Sequence, residues 1–169
     1  MAANSALRRI LRHLFIPSWA VKRPFTPGVL RHVEQAIRAS ETKHDGELRF
    51  AFEGSLPLAL LLSRPSARTR AHDVFAQLRV WDTEHNSGVL IYLQLTDRRV
   101  EIVADRGIAR KVEQSQWNAI CRAMERAFKQ GRFEEGVLAA IGTITGLLVQ
   151  NFPPFGDNPN ELPDKPVVL

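Results

Sequence analysis

The sequence predicts an α/β protein, a three-layer α/β/α sandwich around a small mixed β-sheet. Apolar runs over 89–95 and 100–103 are separated by a few polar residues, a pattern typical of a β-hairpin. Upstream, apolar residues alternate with other residues over 47–52, and a helical pattern over 67–79 connects this strand to the hairpin. A strand, a helix and a strand in this order predict parallel pairing through a right-handed crossover.

Length and charge limit the class of protein. The 169 residues fit one domain that buries a core without disulfides, and the single Cys121 lies on the apolar side of a helical pattern. The formal charge is +5, but the first 33 residues hold six Arg or Lys and no acid, so the other 17 basic and 18 acidic residues leave −1. Because the basic residues are concentrated at one end, we expect no nucleic-acid-binding surface on the domain. We expect a cytoplasmic protein.

The first segment, residues 1–25, is basic and amphipathic. Its apolar side has Leu7, Ile10, Leu11, Leu14 and Phe15, and its basic side has Arg8, Arg9, Arg12 and His13. The segment is too short to span a bilayer and lacks the pattern of a secretory signal. Three interpretations stay open: a helix that docks its apolar side on its own domain, a peripheral contact with a membrane surface or membrane-protein partner, and an organellar transit peptide.

The domain is expected over residues 26–152 and begins with a helix. Thr26 followed by Pro27 is a typical helix start, with a capping hydroxyl and a proline at the first helical position. A polar turn over 43–46 leads to the first strand. The apolar run over 56–62 predicts a short helix laid on the sheet.

Two more helices are predicted after the hairpin. The first has an apolar stripe formed by Trp117, Ile120, Cys121, Met124, Ala127 and Phe128, and the second by Phe133, Val137, Ile141, Ile144, Leu148 and Phe152. Trp81 and Trp117 are interpreted as core residues, because both adjoin apolar periodic positions. Residues 153–169 contain five prolines, which predicts an extended tail that is ordered only where it lies on the domain.

Four carboxylates are expected at one edge of the sheet. They are Glu47, Asp82, Glu84 and Asp105. Parallel strands start at the same edge, and the second strand of the hairpin ends there. Carboxylate oxygens are the ligands that calcium, or magnesium as the alternative, prefers, and Asn86 would add an amide oxygen. Three interpretations stay open: structural roles in caps, turns and pairs with arginines, a divalent-cation site, and metal-assisted hydrolysis of phosphate esters.

Two glycines flank the hairpin. Gly88 precedes its first strand and Gly107 follows its second. Glycine allows the backbone to turn sharply or to approach a neighbour closely, because it has no Cβ. We therefore expect close backbone contacts at both positions.

Residues over about three quarters of the chain resemble the TPM domain family, which includes plant thylakoid lumen proteins of photosystem II repair and many bacterial membrane-associated proteins. The matching pieces are Glu41-Thr42, Gly46-Glu47, Asn86-Ser87-Gly88-Val89-Leu90-Ile91, Asp97-Arg98, Asp105, Gly107-Ile108 and the late glycine block Gly131-Arg132-Phe133-Glu134-Glu135-Gly136. The resemblance implies an α/β/α sandwich with a small mixed sheet. It also implies divalent-cation binding, calcium in some members, and a phosphatase activity in the plant branch.

The chain differs from the family pattern in two respects. The family's Gly-Tyr-Gly after the second hairpin strand is replaced here by Asp105-Arg106-Gly107. The signal peptide and carboxy-terminal membrane helix of many relatives are not expected in this sequence. The function that follows is a TPM-domain binding module for a divalent cation, with a metal-dependent acid phosphatase as the alternative.

Overall fold

One mixed sheet of four strands in the order β3-β2-β1-β4 organises the chain. The strands are β1 Leu48–Glu53, β2 Val89–Gln94, β3 Arg99–Ala104 and β4 Val167–Val168. The computed structural model describes residues 2–63, 65–155 and 159–169, and the side chains of residues 2–8 and 18 are outside this description. The side chains of Leu7 and Arg8 and the first two residues of the Asp157-Asn158-Pro159-Asn160 turn therefore lie outside the described part.

The strand pairing confirms the prediction for the first three strands. β1 and β2 are parallel with Leu48 opposite Val89, and β2 and β3 form the antiparallel hairpin with Leu93 opposite Val100. β4 was not predicted: two residues of the tail pair in parallel with β1. The tail thus completes the sheet on the side opposite the hairpin.

Eight helices surround the sheet in the described chain. They are α1 Ala2–Phe15, α2 Ser18–Lys22, α3 Pro27–Glu41, α4 Leu58–Ser63, α5 Ala67–Gln77, α6 Arg106–Ala109, α7 Gln114–Lys129 and α8 Phe133–Asn151. The predicted start of α3 is confirmed, because the Thr26 hydroxyl accepts the amide of Val29 at 3.3 Å. The helices that cover the two faces of the sheet give the α/β fold that the sequence predicts.

Alternation along β1 divides the core into two layers. Leu48, Phe50 and Phe52 pack with α3, α7 and α8 on one face, as period-two side chains require. Ala51 faces α5 on the other side, in a smaller cluster. Buried hydrogen bonds also join α5 to this face. Arg70 of α5 binds Glu53 in bidentate fashion at 2.9 and 3.2 Å, and the hydroxyl of Tyr92 donates to the same carboxylate.

The predictions for the two tryptophans and for the last apolar helix have different outcomes. Trp117 is buried in the core as predicted, whereas Trp81 is half exposed, so its assignment to the core was wrong. Trp81 follows α5 in a turn, where the helical periodicity that suggested burial has already ended. α8 is long and apolar enough to cross a membrane, but its buried side packs on α3 and α7, as is typical of a core helix.

Candidate cation site at the edge of the sheet

The carboxylate of Glu47 is occupied by the tail. Its buried carboxylate accepts the backbone amides of Glu161 and Leu162, both at 3.2 Å, and so fixes the tail beside β1. Burial raises the pKa of Glu47 to about 7, and the two amides oppose that rise because they favour the charged form. Glu47 acts as an anchor for the tail in this arrangement.

Asp82 and Glu84 lie in the loop before β2 with exposed side chains. The backbone amide of Glu84, not its carboxylate, meets the tail: it donates to the carboxylate of Glu161 at 2.9 Å. Among residues 2–63, 65–155 and 159–169, no group of three or more acidic, His or Cys side chains is placed to hold a metal ion. The four predicted carboxylates are therefore not gathered into one ligand set.

Asp105 has the position that the topology predicts, at the end of β3. Its carboxylate caps α6 through Oδ1, which accepts the amide of Arg106 at 2.7 Å, and its own amide donates to the carbonyl of Gly88 at 2.8 Å. The second oxygen, Oδ2, is buried and has no hydrogen-bond partner in the described part of the chain. A buried carboxylate oxygen without a partner is costly, so this atom requires an explanation.

Asp45 is an acidic residue of the predicted polar turn over 43–46. Its Oδ2 accepts the amide of Phe155 at 2.9 Å, and its carbonyl accepts the hydroxyl of Ser87 at 3.1 Å. Its Oδ1 is buried and, like Oδ2 of Asp105, is without a partner among the described residues. Because Asp45 binds Ser87 and Asp105 binds the adjacent Gly88, the two aspartates flank one short piece of backbone at the same sheet edge.

The glycines beside these aspartates confirm the expected close approach. A Cβ on Gly88 would lie 1.9 Å from the carbonyl oxygen of Val80, and a Cβ on Gly107 would lie 2.4 Å from that of His85. Side chains at either position would push the loop away from the strand ends. These glycines allow the loop over residues 80–88 to pack closely against the edge of the sheet.

Asn86 does not offer its amide oxygen in the way the sequence suggested. Its Oδ1 accepts Nε of Arg106 at 2.7 Å, and its backbone, with a φ of 51°, turns so that its carbonyl accepts the amide of Gly107. Asparagine tolerates this left-handed conformation better than most residues. Asn86 thus holds the loop against α6 and places the cationic Arg106 beside the edge.

A surface cleft of about 570 Å³ opens at this edge. It is lined by Asp45, His85, Gly107, Arg110, Lys111, Asn151, Phe152, Pro153 and Phe155. Nζ of Lys111 donates to the carbonyl of Asn151 at 2.8 Å and lies 4.1 Å from the centre of the Phe152 ring. The cleft therefore combines one buried carboxylate with cationic groups on its rim.

Comparison with known proteins decides the family. The family model described as the TPM domain matches residues 24–147. The chain belongs to the TPM domain family. No curated protein matches it.

Two solved structures share the TPM-like fold. The NMR structure of the BA42 protein from the psychrophilic bacterium Bizionia argentinensis is 30% identical, with 85% of this chain and 94% of that chain covered and a TM-score of 0.72. The N-terminal domain of a protein from P. gingivalis is 18% identical, with 75% and 78% covered and a TM-score of 0.61, and this likeness shows the fold alone.

Asp45 could have been found from the TPM domain's sequence by the reasoning that found Asp105. It stands just before the first strand, so the rule that parallel strands start at one edge applies to it as well as to Glu47. The burial of Glu47 by the tail was not readable, because the segment that binds it lies more than a hundred residues away.

Proposed function

We propose that this TPM domain is a binding module for a divalent cation, with the carboxylates of Asp45 and Asp105 as its protein anchors. One observation supports the proposal: each carboxylate has one buried oxygen without a partner, at the same sheet edge. A cation at this edge would supply both oxygens with a positive partner. Such oxygens suit a hard cation such as calcium or magnesium.

Calcium fits this donor set better than magnesium. Calcium accepts about six to eight oxygens in irregular arrangements, whereas magnesium requires a near-octahedral shell. Both aspartates are held through their backbones and their second oxygens, which leaves little freedom to build a tight octahedron. Water and backbone carbonyls would complete the shell around two carboxylates.

The test is a calcium titration of thermal stability. A ligand that binds only the folded state stabilises it by about 2.7 kcal/mol at a hundredfold excess over its Kd. For a domain of this size that corresponds to a Tm rise of about 5–10 °C. Asp45→Asn and Asp105→Asn should lose this rise, because each keeps an oxygen for the amide it now accepts and removes the charge.

Asp82→Asn is the matched control, since Asp82 is exposed in the neighbouring loop. It should respond to calcium like the parent. If the parent does not respond to calcium, or if Asp45→Asn and Asp105→Asn respond as it does, the two aspartates have a structural role and the proposal fails. A magnesium titration of the same variants measures the preference between the two ions.

The phosphatase alternative has one observation in its favour. Arg110 and Lys111 line the cleft that contains Asp45, and cationic groups beside a bound metal are able to hold a phosphate ester. If the chain is a metal-dependent acid phosphatase, p-nitrophenyl phosphate is hydrolysed in the presence of the cation and Asp45→Asn abolishes turnover. Calcium binding without turnover supports the binding module and rejects the enzyme.

A further inference from the structure

α1 lies on the domain with its charged side inward. Nε of Arg9 is 2.8 Å from Oδ2 of Asp97, and Nε2 of His13 is 3.1 Å from Oδ1 of the same carboxylate. The buried His13 also accepts the amide of Leu56 at 2.9 Å through Nδ1. The polar side of the helix is thus bound to the hairpin turn and to the segment before α4.

The other side of α1 is apolar and faces solvent. Side chains that are 42–76% exposed form an apolar patch, defined by Leu11, Leu14, Phe15, Trp19, Leu58 and Leu62. An amphipathic helix on a globular domain normally turns its apolar stripe to the core. This inverted orientation indicates a surface whose apolar groups are available to something outside the chain.

Two side-chain-to-backbone hydrogen bonds place α1 beside the segment that contains α4. Arg9 donates to the carbonyl of Pro65 at 3.4 Å, just after α4, and the hydroxyl of Ser55 donates to the carbonyl of Ile16 at 3.4 Å, just before it. The two segments therefore run antiparallel. Leu58 and Leu62 of α4 therefore lie on the segment next to Leu11 and Leu14 of α1.

A basic cleft of about 450 Å³ adjoins the apolar patch. Its charged lining consists of Arg9, Arg12, Arg68, Arg99, Asp97 and Glu101. Arg9 is paired with Asp97, and Arg68 lies 3.7 Å from Glu101. The other two arginines of the cleft, Arg12 and Arg99, are exposed and give it an excess of positive charge. The absence of acidic residues over the first 33 positions adds to this local excess.

We propose that the apolar patch and the basic cleft form one docking surface for an anionic lipid bilayer. Exposed Phe, Trp and Leu side chains beside arginines are the combination that binds the boundary between headgroups and acyl chains. Phe15 and Trp19 enter this boundary, and Arg12 and Arg99 bind headgroup phosphates. The charge complementarity favours an anionic membrane over a second copy of this basic segment, which would repel it.

The experiment uses the full chain and vesicles of phosphatidylcholine with or without phosphatidylglycerol. We expect cosedimentation with the anionic vesicles that weakens as salt is raised. Leu14→Ser combined with Phe15→Ser should weaken binding at least about tenfold, because both apolar side chains leave the lipid boundary. Its Tm should equal that of the parent, since both side chains are exposed in the free protein.

Two tryptophans give a matched pair. Trp19 lies in the patch and is 71% exposed, whereas Trp81 is 50% exposed and lies before the start of β2. Trp19→Ala should reduce binding severalfold, whereas Trp81→Ala should not change it. Arg12→Gln combined with Arg99→Gln should reduce binding to anionic vesicles and flatten its salt dependence.

Three results would overturn the proposal. One is a parent chain that stays in the supernatant with anionic vesicles. Another is equal binding by the parent and the Leu14→Ser/Phe15→Ser variant. The third is a dimeric parent that this variant converts to a monomer, because a second copy would then cover the patch.

Discussion

The N-terminal helix α1 contacts the domain mainly through polar side chains, whereas residues 159–169 of the tail add strand pairing and a buried leucine to their polar contacts. α1 leaves Leu11, Leu14 and Phe15 exposed to solvent. The tail buries Leu162 beside Ala51 and Tyr92 and adds β4 to the sheet. The tail is therefore part of the folded core, and α1 is an attached element whose outer side is free for binding.

The largest expected effect is a difference in stability between two leucine variants, one in the tail and one in α1. Leu162→Ala should lower the free energy of unfolding by about 2–4 kcal/mol, as truncation of buried leucines does. Leu14→Ala should change it by less than about 0.5 kcal/mol, because surface substitutions away from special contacts have small effects. Denaturant unfolding of both variants measures the two values, and similar losses would mean that α1 is as much a core element as the tail.

A smaller effect concerns the pH dependence of the Tm, which two buried glutamates beside β1 should produce. Burial raises the pKa of Glu41 to about 9 and that of Glu47 to about 7. An acid whose pKa is raised in the folded state stabilises that state below its unfolded pKa, and this stability is lost as pH rises through the folded value. The contribution of Glu47 is lost by about pH 7 and that of Glu41 by about pH 9, so the Tm should fall by a few degrees between pH 7 and 9 through Glu41.

Glu41→Gln is the variant that isolates this effect. Glutamine keeps an oxygen for the amide of Leu48, which Glu41 accepts at 2.9 Å, and it has no proton to lose in this range. Its Tm should change less with pH than that of the parent. Arg38 and Asn160 hold Asp164, and the lowered pKa of Asp164 acts only in the acid range, so it does not oppose the trend. A parallel fall in both proteins would contradict the assignment.

The smallest expected effect concerns the contact that holds α1. Asp97→Asn removes the charge that pairs with Arg9 and His13, and we expect a loss of about 1 kcal/mol, since both partners of the Arg9 pair are partly exposed. Tryptic cleavage within α1 should accelerate more than global unfolding does. Asp82→Asn serves as the exposed control, and unchanged cleavage in Asp97→Asn would show that other contacts retain the helix.

Short-range patterns were sufficient to predict most of the fold. Strand alternation and helical stripes predicted the crossover, the hairpin and the long helices, because each pattern repeats over several residues. β4 was missed, since a pair of valines gives no period and its pairing with β1 spans more than a hundred residues. The amphipathic pattern of α1 predicted a helix but not its orientation, which depends on His13 and Asp97.

The arrangement of residues at the sheet edge was predicted in part, whereas its role as a cation site stays a prediction. Topology placed Asp105 at the correct edge, and the two close-packed glycines were confirmed there. The same rule could not show that the tail's backbone amides occupy Glu47, because that contact is tertiary. Asp45 was overlooked since a polar turn is the ordinary interpretation of its neighbours.

The position of β4 in the chain has a consequence for synthesis. β1 leaves the ribosome long before Val167–Val168 can pair with it, because folding during translation proceeds from the N-terminal side. In the interval the outer backbone of β1 is an open strand edge, which is able to pair with another nascent chain. The edge of β1 therefore stays open until residues 167–168 have been synthesised and can pair with it, and slow translation of residues 159–169 should lower the soluble yield.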